Sequence, residues 1–173
     1  GLSYKGAFLQ DQPGLPMVNM GSFGVDGRYR YAGLKYYAES QVKPKHMLAR
    51  GDLVVVNTDL TQSRDILARP VLNPHERATS THHTFQVRVP EGDATRGWIY
   101  AALRQESIRQ RLISYATGTT VAALPVDALE TQEVPWADDS DIEIWWDCAK
   151  PLLEARAAVI EEADEVQSTR DEL

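Results

Sequence analysis

From Ile142 onward one line of residues recurs at every third or fourth position. Its members are Ile142, Trp145, Ala149, Leu152, Arg156, Val159, Ala163, Val166, Arg170 and Leu173. The line is apolar except at its two arginines, which makes it a heptad seam. Glu154, Glu161, Glu162 and Glu165 lie off it. The spacing predicts a long helix opening near Ser140, where Ser140 and Glu143 fit a capping box. Pro151 conflicts with an unbroken helix, because it lacks a backbone donor and crowds the preceding turn. A kink is the favoured expectation; the alternative is a second helix with Pro151 in its first turn. An apolar seam on a solitary helix must be covered. Either it folds back on its own chain or it pairs with another chain or a second copy.

Charge divides the chain at the same place. Residues 1–129 hold 15 Lys+Arg against 11 Asp+Glu, and residues 130–173 hold 3 against 14, so the halves carry +4 and −11. The net −7 conceals a mildly basic body joined to an acidic extension, which suggests two surfaces with two tasks. The 173 residues suit one globular domain plus an appendage, and 43% hydrophobic residues support a packed core. A single cysteine, Cys148, excludes an internal disulfide framework and makes a reducing, cytoplasmic compartment the expectation. No apolar run reaches membrane-spanning length. The terminal Arg170-Asp171-Glu172-Leu173 resembles a retention tag, but the start shows no secretory leader, so a helix cut at a boundary is the better reading.

The body reads as strands first and helices later. Met17 to Met20 is an extended segment between turn signals. Leu53 to Val56 in GDLVVVNT is a buried strand, and residues 66–72 form another that Pro70 confines to an edge. Residues 84–89 alternate Phe85, Val87 and Val89 with Gln86 and Arg88, a half-buried strand. Residues 97–116 form an amphipathic helix with Ile99, Ala102, Leu103, Ile108 and Leu112 near one face and Arg104, Arg109 and Arg111 elsewhere. The expected class is α+β: a β-rich mixed or antiparallel domain over residues 1–137 with an amphipathic helix, then the acidic heptad helix over 138–173.

The stretch from Tyr115 to Pro135 joins these parts. Gly118 stops the preceding helix, Thr119 and Thr120 place two hydroxyls at an exposed corner, and Val121, Leu124 and Leu129 anchor the chain. After Pro125 a strand closes on Val134-Pro135. The ordered string Gly118-Thr119-Thr120-Val121, Leu124-Pro125, Leu129 and Val134-Pro135 resembles the end of a target-recognition domain. Such domains belong to the specificity subunits of type I restriction-modification systems. The resemblance implies sequence-specific recognition of double-stranded DNA without catalysis. It also implies partners: an adenine-methyltransferase subunit, a restriction/translocase subunit, and a second specificity half reached through the C-terminal helix. No cofactor is expected on this chain, because S-adenosylmethionine would belong to the methyltransferase.

Candidate DNA contacts fall in three groups. Residues 28–50 hold Arg28, Arg30, Lys35, Lys43, Lys45 and Arg50 against the single acid Glu39, with Tyr29, Tyr31, Tyr36 and Tyr37 interleaved. Cations at phosphate spacing release counterions and supply sequence-independent affinity. An ordinary solvated strand pair has the same composition, and the withdrawal of acids tips the reading to DNA. Residues 57–83 offer Asn57, Thr58, Gln62, Ser63, Arg64, Asn73, His75, Arg77, His82 and His83, an inventory that suits base readout. Thr119 and Thr120 could hold phosphate or merely build a turn.

His82 and His83 also invite a metal or nuclease reading. Neighbours on a strand point to opposite faces, and no third ligand stands at matching offsets, so no metal is expected. Absent too are adenine-methylase Asn-Pro-Pro-Tyr or Asp-Pro-Pro-Tyr strings, a Gly-rich cofactor loop and a Walker loop. Two rivals remain: a hydrolase or nuclease using His82 or His83 with Asp52 or Asp59, and a protein-interaction module acting through its acidic helix.

Overall fold

The computed structural model describes residues 1–11, 14–61 and 63–171; Gln62, Glu172 and Leu173, named above, lie outside them. Strands come first, in the order β1 (Leu9–Gln10), β2 (Leu15–Val18), β3 (Lys35–Tyr37), β4 (Leu48–Ala49), β5 (Leu53–Val56), β6 (Thr58–Asp59), β7 (Pro70–Leu72), β8 (Arg77–Ser80) and β9 (Thr84–Val87). Then follow α1 (Asp93–Leu103), α2 (Glu106–Ser114), β10 (Ala122–Ala123), α3 (Val126–Glu130) and α4 (Asp139–Asp171). The fold is α+β. One sheet runs β1-β3-β2-β8-β4, a second β7-β5-β9, and β10 pairs with β6. Pairing is antiparallel except between β2 and β8.

β5 explains the core. All four of its residues are buried, because successive side chains enter opposite faces and both faces are covered. Leu53 and Val55 pack with Leu67, Tyr100, Leu103, Ile108, Leu112 and Leu124. Val54 and Val56 pack with Val18, Phe23, Leu48, Val71 and Ala78. Pro70 opens β7 at the sheet edge as expected, but residues 66–69 are not strand, and β9 ends at Val87 rather than Val89. The first extended segment likewise runs Leu15–Val18, and Met20–Ser22 forms a 3-10 turn.

Several expectations are corrected. The helix expected over 97–116 is two helices broken at Arg104 and Gln105. Gln105 is extended, its carbonyl accepts from Ile108 and Arg109, and Arg104 Nη1 donates to Gly27 O at 2.6 Å. Arg109 is not on a solvent face; it is 6% exposed. Gly118 has φ 95° but does not end α2, which stops at Ser114. It turns a hairpin closed by reciprocal Thr117 and Ala123 backbone bonds. The segment after Pro125 begins as the helix α3 rather than a strand.

α4 starts at Asp139, ahead of the expected Ser140 cap, with the Asp138 carbonyl accepting from Asp141 and Ile142 N–H. It runs as one helix through Pro151, so Pro151 opens no second helix. Its seam divides. Ile142 is buried, and Trp145 stands edge-on to Trp98 at 5.2 Å. Beyond Ala149 the half-buried stripe shifts by one residue to Leu153, Ala157, Ile160 and Asp164. Asp164 Oδ2 accepts the Tyr31 N–H at 2.8 Å. The expected seam residues Leu152, Val159 and Val166 face outward, 72%, 66% and 63% exposed. The helix therefore folds back on the body with one stripe and leaves another open. Among the described residues no helix is long and apolar enough to cross a membrane.

Candidate nucleic-acid interface

Three turns meet around Asn57 and β6. The Asn57 N–H donates to His83 O at 3.0 Å, and its Nδ2 donates to His82 O at 3.2 Å. The Asn57 carbonyl accepts Leu124 N–H at 2.8 Å. β6 then pairs with β10, Asp59 opposite Ala122 and Thr58 opposite Ala123. The turn holding His82 and His83, the Thr117–Ala123 hairpin and the loop leaving Asp59 are thus fixed side by side. Thr119 and Thr120 are exposed at the hairpin tip. Gly118 is required there, because a Cβ would meet Val121 O at 2.1 Å.

His82 and His83 do not alternate along a strand. They occupy the turn between β8 and β9, closed by Thr84 N–H to Thr81 O at 3.0 Å, and their rings lie 3.9 Å apart. Burial and the neighbouring His82 together hold His83 below the ordinary imidazole pKa. Among the described residues no group of three or more His, Cys, Asp or Glu side chains could hold a metal ion.

A second group lies against the strands β8 and β9, ahead of β4. Lys43 precedes the 3-10 turn Pro44–His46, with Lys45 inside it. The His46 carbonyl accepts Thr79 Oγ1 and Gln86 Nε2, both at 3.0 Å. Arg88 Nη2 donates to Met47 O at 2.6 Å, while Arg88 Nη1 bonds Asp52 at 2.7 Å. One side chain from β8, one from β9 and one just beyond it therefore rivet a basic turn to the sheets. Burial, with Lys45, Lys43 and Arg88 all close enough to repel a proton, lowers the His46 pKa. That turn concentrates positive charge and can accept an anion such as phosphate.

The remaining candidates sit on other neighbours. Arg28 pairs with Asp26 at 3.4 Å, and exposed Arg30 lies one residue before Tyr31, which is tied to α4. The acidic helix thus abuts the stretch expected to grip DNA. Burial together with Glu161 and Asp164 pushes Tyr31 up to about 12. Lys35 and half-buried Tyr36 stand on β3, between β1 and β2. Asn73 and His75 are internal: Asn73 Nδ2 donates to the Ala49 and His75 carbonyls, and His75 Nε2 meets Tyr29 OH at 2.9 Å. Arg77 is paired with Glu39. A cleft of about 340 Å³ beneath α4 is lined by Arg96, Trp146 and Lys150 and takes in the candidates Tyr29, Tyr31, Arg50 and Asn73, while Lys43, Lys45, His82, His83, Thr119 and Thr120 lie outside it.

Arg64 belongs to the loop leaving Asp59, and two residues named earlier in other roles, Asp59 as a possible nuclease carboxylate and Arg109 as a helix arginine, hold that loop. Asp59, 1% exposed, accepts Thr61 N–H and Oγ1 and Ile66 N–H. Arg109 reaches the same loop from α2, donating to the carbonyls of Arg64, Asp65 and Leu67. One signal was available: Arg109 follows Ile108 and precedes Leu112 by three, so all three share a helical face.

No protein-family model and no curated protein matches the chain. Among solved structures it is similar to a chain from "Structural basis underlying complex assembly and conformational transition of the type I R-M system", with a TM-score of 0.53 and 13% identity. The match covers 98% of this chain and 39% of that chain. At that identity the likeness is one of fold, and it extends over the body and α4 together.

Proposed function

We propose that this chain is a DNA target-recognition unit, equivalent to half of a type I restriction-modification specificity subunit, and not itself an enzyme. The observation that carries the reading is the fold likeness over 98% of the chain to a component of such a system. Residues 1–137 read duplex DNA. The riveted turn with Lys43 and Lys45 takes phosphate, and the turns around Asn57 face the bases. The helix α4 offers its open stripe to a second specificity half, and the assembled pair directs methyltransferase and restriction/translocase subunits that hold S-adenosylmethionine and the catalytic residues.

Two measurements test this. The affinity of a fluorescent 25-base-pair duplex is followed against KCl concentration. Replacing Lys43 and Lys45 together by alanine should lower the slope of log K on log salt by about two, since each phosphate contact contributes roughly 0.9. An unchanged slope removes these lysines from the interface, and absence of any complex at low salt defeats the DNA reading. For the helix, Val159→Asp should abolish self-association or half-subunit pairing in sedimentation while leaving the thermal midpoint within a few degrees, because Val159 is 66% exposed. Retained pairing would show that the open stripe is not the contact.

A further inference from the structure

The loop between β6 and β7 holds two non-glycine residues in the left-handed region, Arg64 at φ 54° and Ala68 at φ 61°. An L side chain there crowds the following carbonyl, so the conformation persists only where its surroundings impose it. Arg109 imposes it. Its Nε donates to Leu67 O at 3.1 Å, its Nη2 to Arg64 O at 2.6 Å and Asp65 O at 3.1 Å, and its Nη1 to Glu106 Oε1 at 2.9 Å. A buried guanidinium devoted to three carbonyls of one loop is a costly way to gain stability alone. What it secures is one loop geometry. Asp59 fixes the loop's start, and Ser63 Oγ bonds Asp65 at 2.6 Å.

The loop leaves one aliphatic group exposed and two hydroxyls whose protons go to Asp59 and Asp65, at 2.7 and 2.6 Å, so that their oxygens can accept from a base amino group. Leu60 is 60% exposed, and Thr61 and Ser63 are exposed beside it. Pairing of β6 with β10 sets them next to Thr119, Thr120 and Val121, the last 43% exposed. Hydroxyls pair with base edges, and an exposed aliphatic group meets a thymine methyl or wedges a base step. Discrimination requires that such groups be held still, since a mobile loop adapts to a wrong base at little cost.

We infer that Arg109 is a positioning residue for sequence discrimination: by holding Arg64, Asp65 and Leu67 it sets the base of the loop that carries Leu60, Thr61 and Ser63, which read base edges together with Thr119 and Thr120. This rests on the DNA-recognition reading above. Affinity for any duplex comes from the basic turn, and preference among duplexes comes from the tip.

The test uses the full chain. A duplex enriched by the wild-type protein from a randomised pool is the probe, and its scrambled sequence is the reference. Arg109→Met should cut the ratio of affinities at least tenfold while leaving affinity for the scrambled duplex within twofold. Arg109→Lys, which keeps a donor, should fall between. The surface double variant Leu60→Ser with Thr119→Ala should lose the ratio with an unchanged melting temperature, and it decides the matter if Arg109→Met does not fold. Wild-type selectivity in the double variant, or equal loss on both duplexes with Arg109→Met, overturns the inference. If the wild type binds duplexes but enriches no sequence, this inference fails and the phosphate-binding reading stands. If it binds no duplex, both fail.

Discussion

Gly97→Val is expected to lift α4 from the body. Gly97 lies on α1 directly beneath Trp146, and a Cβ built there would sit 2.2 Å and 2.4 Å from two carbons of the indole ring. Neither side can yield cheaply. Gly97 is inside a helix, and the ring is hemmed by Trp145, itself edge-on to Trp98, whose Nε1 donates to Pro135 O at 2.8 Å. Overpacking of this kind costs about 1–3 kcal/mol, and a branched side chain places the penalty near the upper end. The buried Ile142 and the Leu153 contact return to water when the helix leaves, roughly 2 kcal/mol for each fully buried side chain. Amide exchange across 142–164 should accelerate at least tenfold and tryptophan emission should shift to the red, while β5 stays protected. Unchanged exchange in α4 would mean that the Trp146 contact does not hold the helix.

Asp59→Ala should be the other severe substitution, for a different reason. The half-buried Ile66 N–H loses its acceptor, at about 1–3 kcal/mol for an unsatisfied donor, while the N–H of exposed Thr61 turns to water, so a total of about 2 kcal/mol is expected. The same carboxylate gives a pH signature. Burial acts to raise its pKa, but the bonds from Thr61 and Ile66 outweigh burial and hold it below the ordinary value. A folded pKa below the unfolded value of about 3.9 adds stability that is present above that pH. It is lost as the pH falls through the folded value. Thermal midpoints measured from pH 7 to pH 3 should drop more steeply for the wild type than for Asp59→Ala below pH 4. Parallel curves would remove Asp59 as the source of the acid sensitivity.

The parts of this fold that were legible in the sequence are those decided by local periodicity. Leu53–Val56 announced a strand buried on both faces because four apolar residues in a row have no other use at that length. The heptad spacing announced α4, and Pro70 announced an edge. What periodicity cannot show is which stripe of a helix meets its own chain. Leu152 and Leu153 are neighbours of equal hydropathy, yet Leu153 packs against the core and Leu152 is 72% exposed. The break at Arg104 and Gln105 was hidden for a similar reason. It depends on a bond to Gly27, 77 residues away, and no local pattern encodes it. Among candidate site residues, Lys43 and Lys45 are candidates by charge alone. The groups that aim and hold the neighbouring turns, Asn57, Asp59 and Arg109, act through backbone atoms distant in sequence. Only Asn57 entered the sequence reading as a DNA-contact candidate, and there for its base-reading chemistry rather than as a hub.

The division of α4 into two stripes has an evolutionary consequence. Leu153, Ala157 and Ile160 rest on the body while Leu152, Val159 and Val166 do not. On the proposed pairing, substitutions on the outer row change which companion the helix accepts without loosening its grip on its own scaffold. Exchange of companions and drift of the distal loops become separable traits, each free to vary while the other is kept.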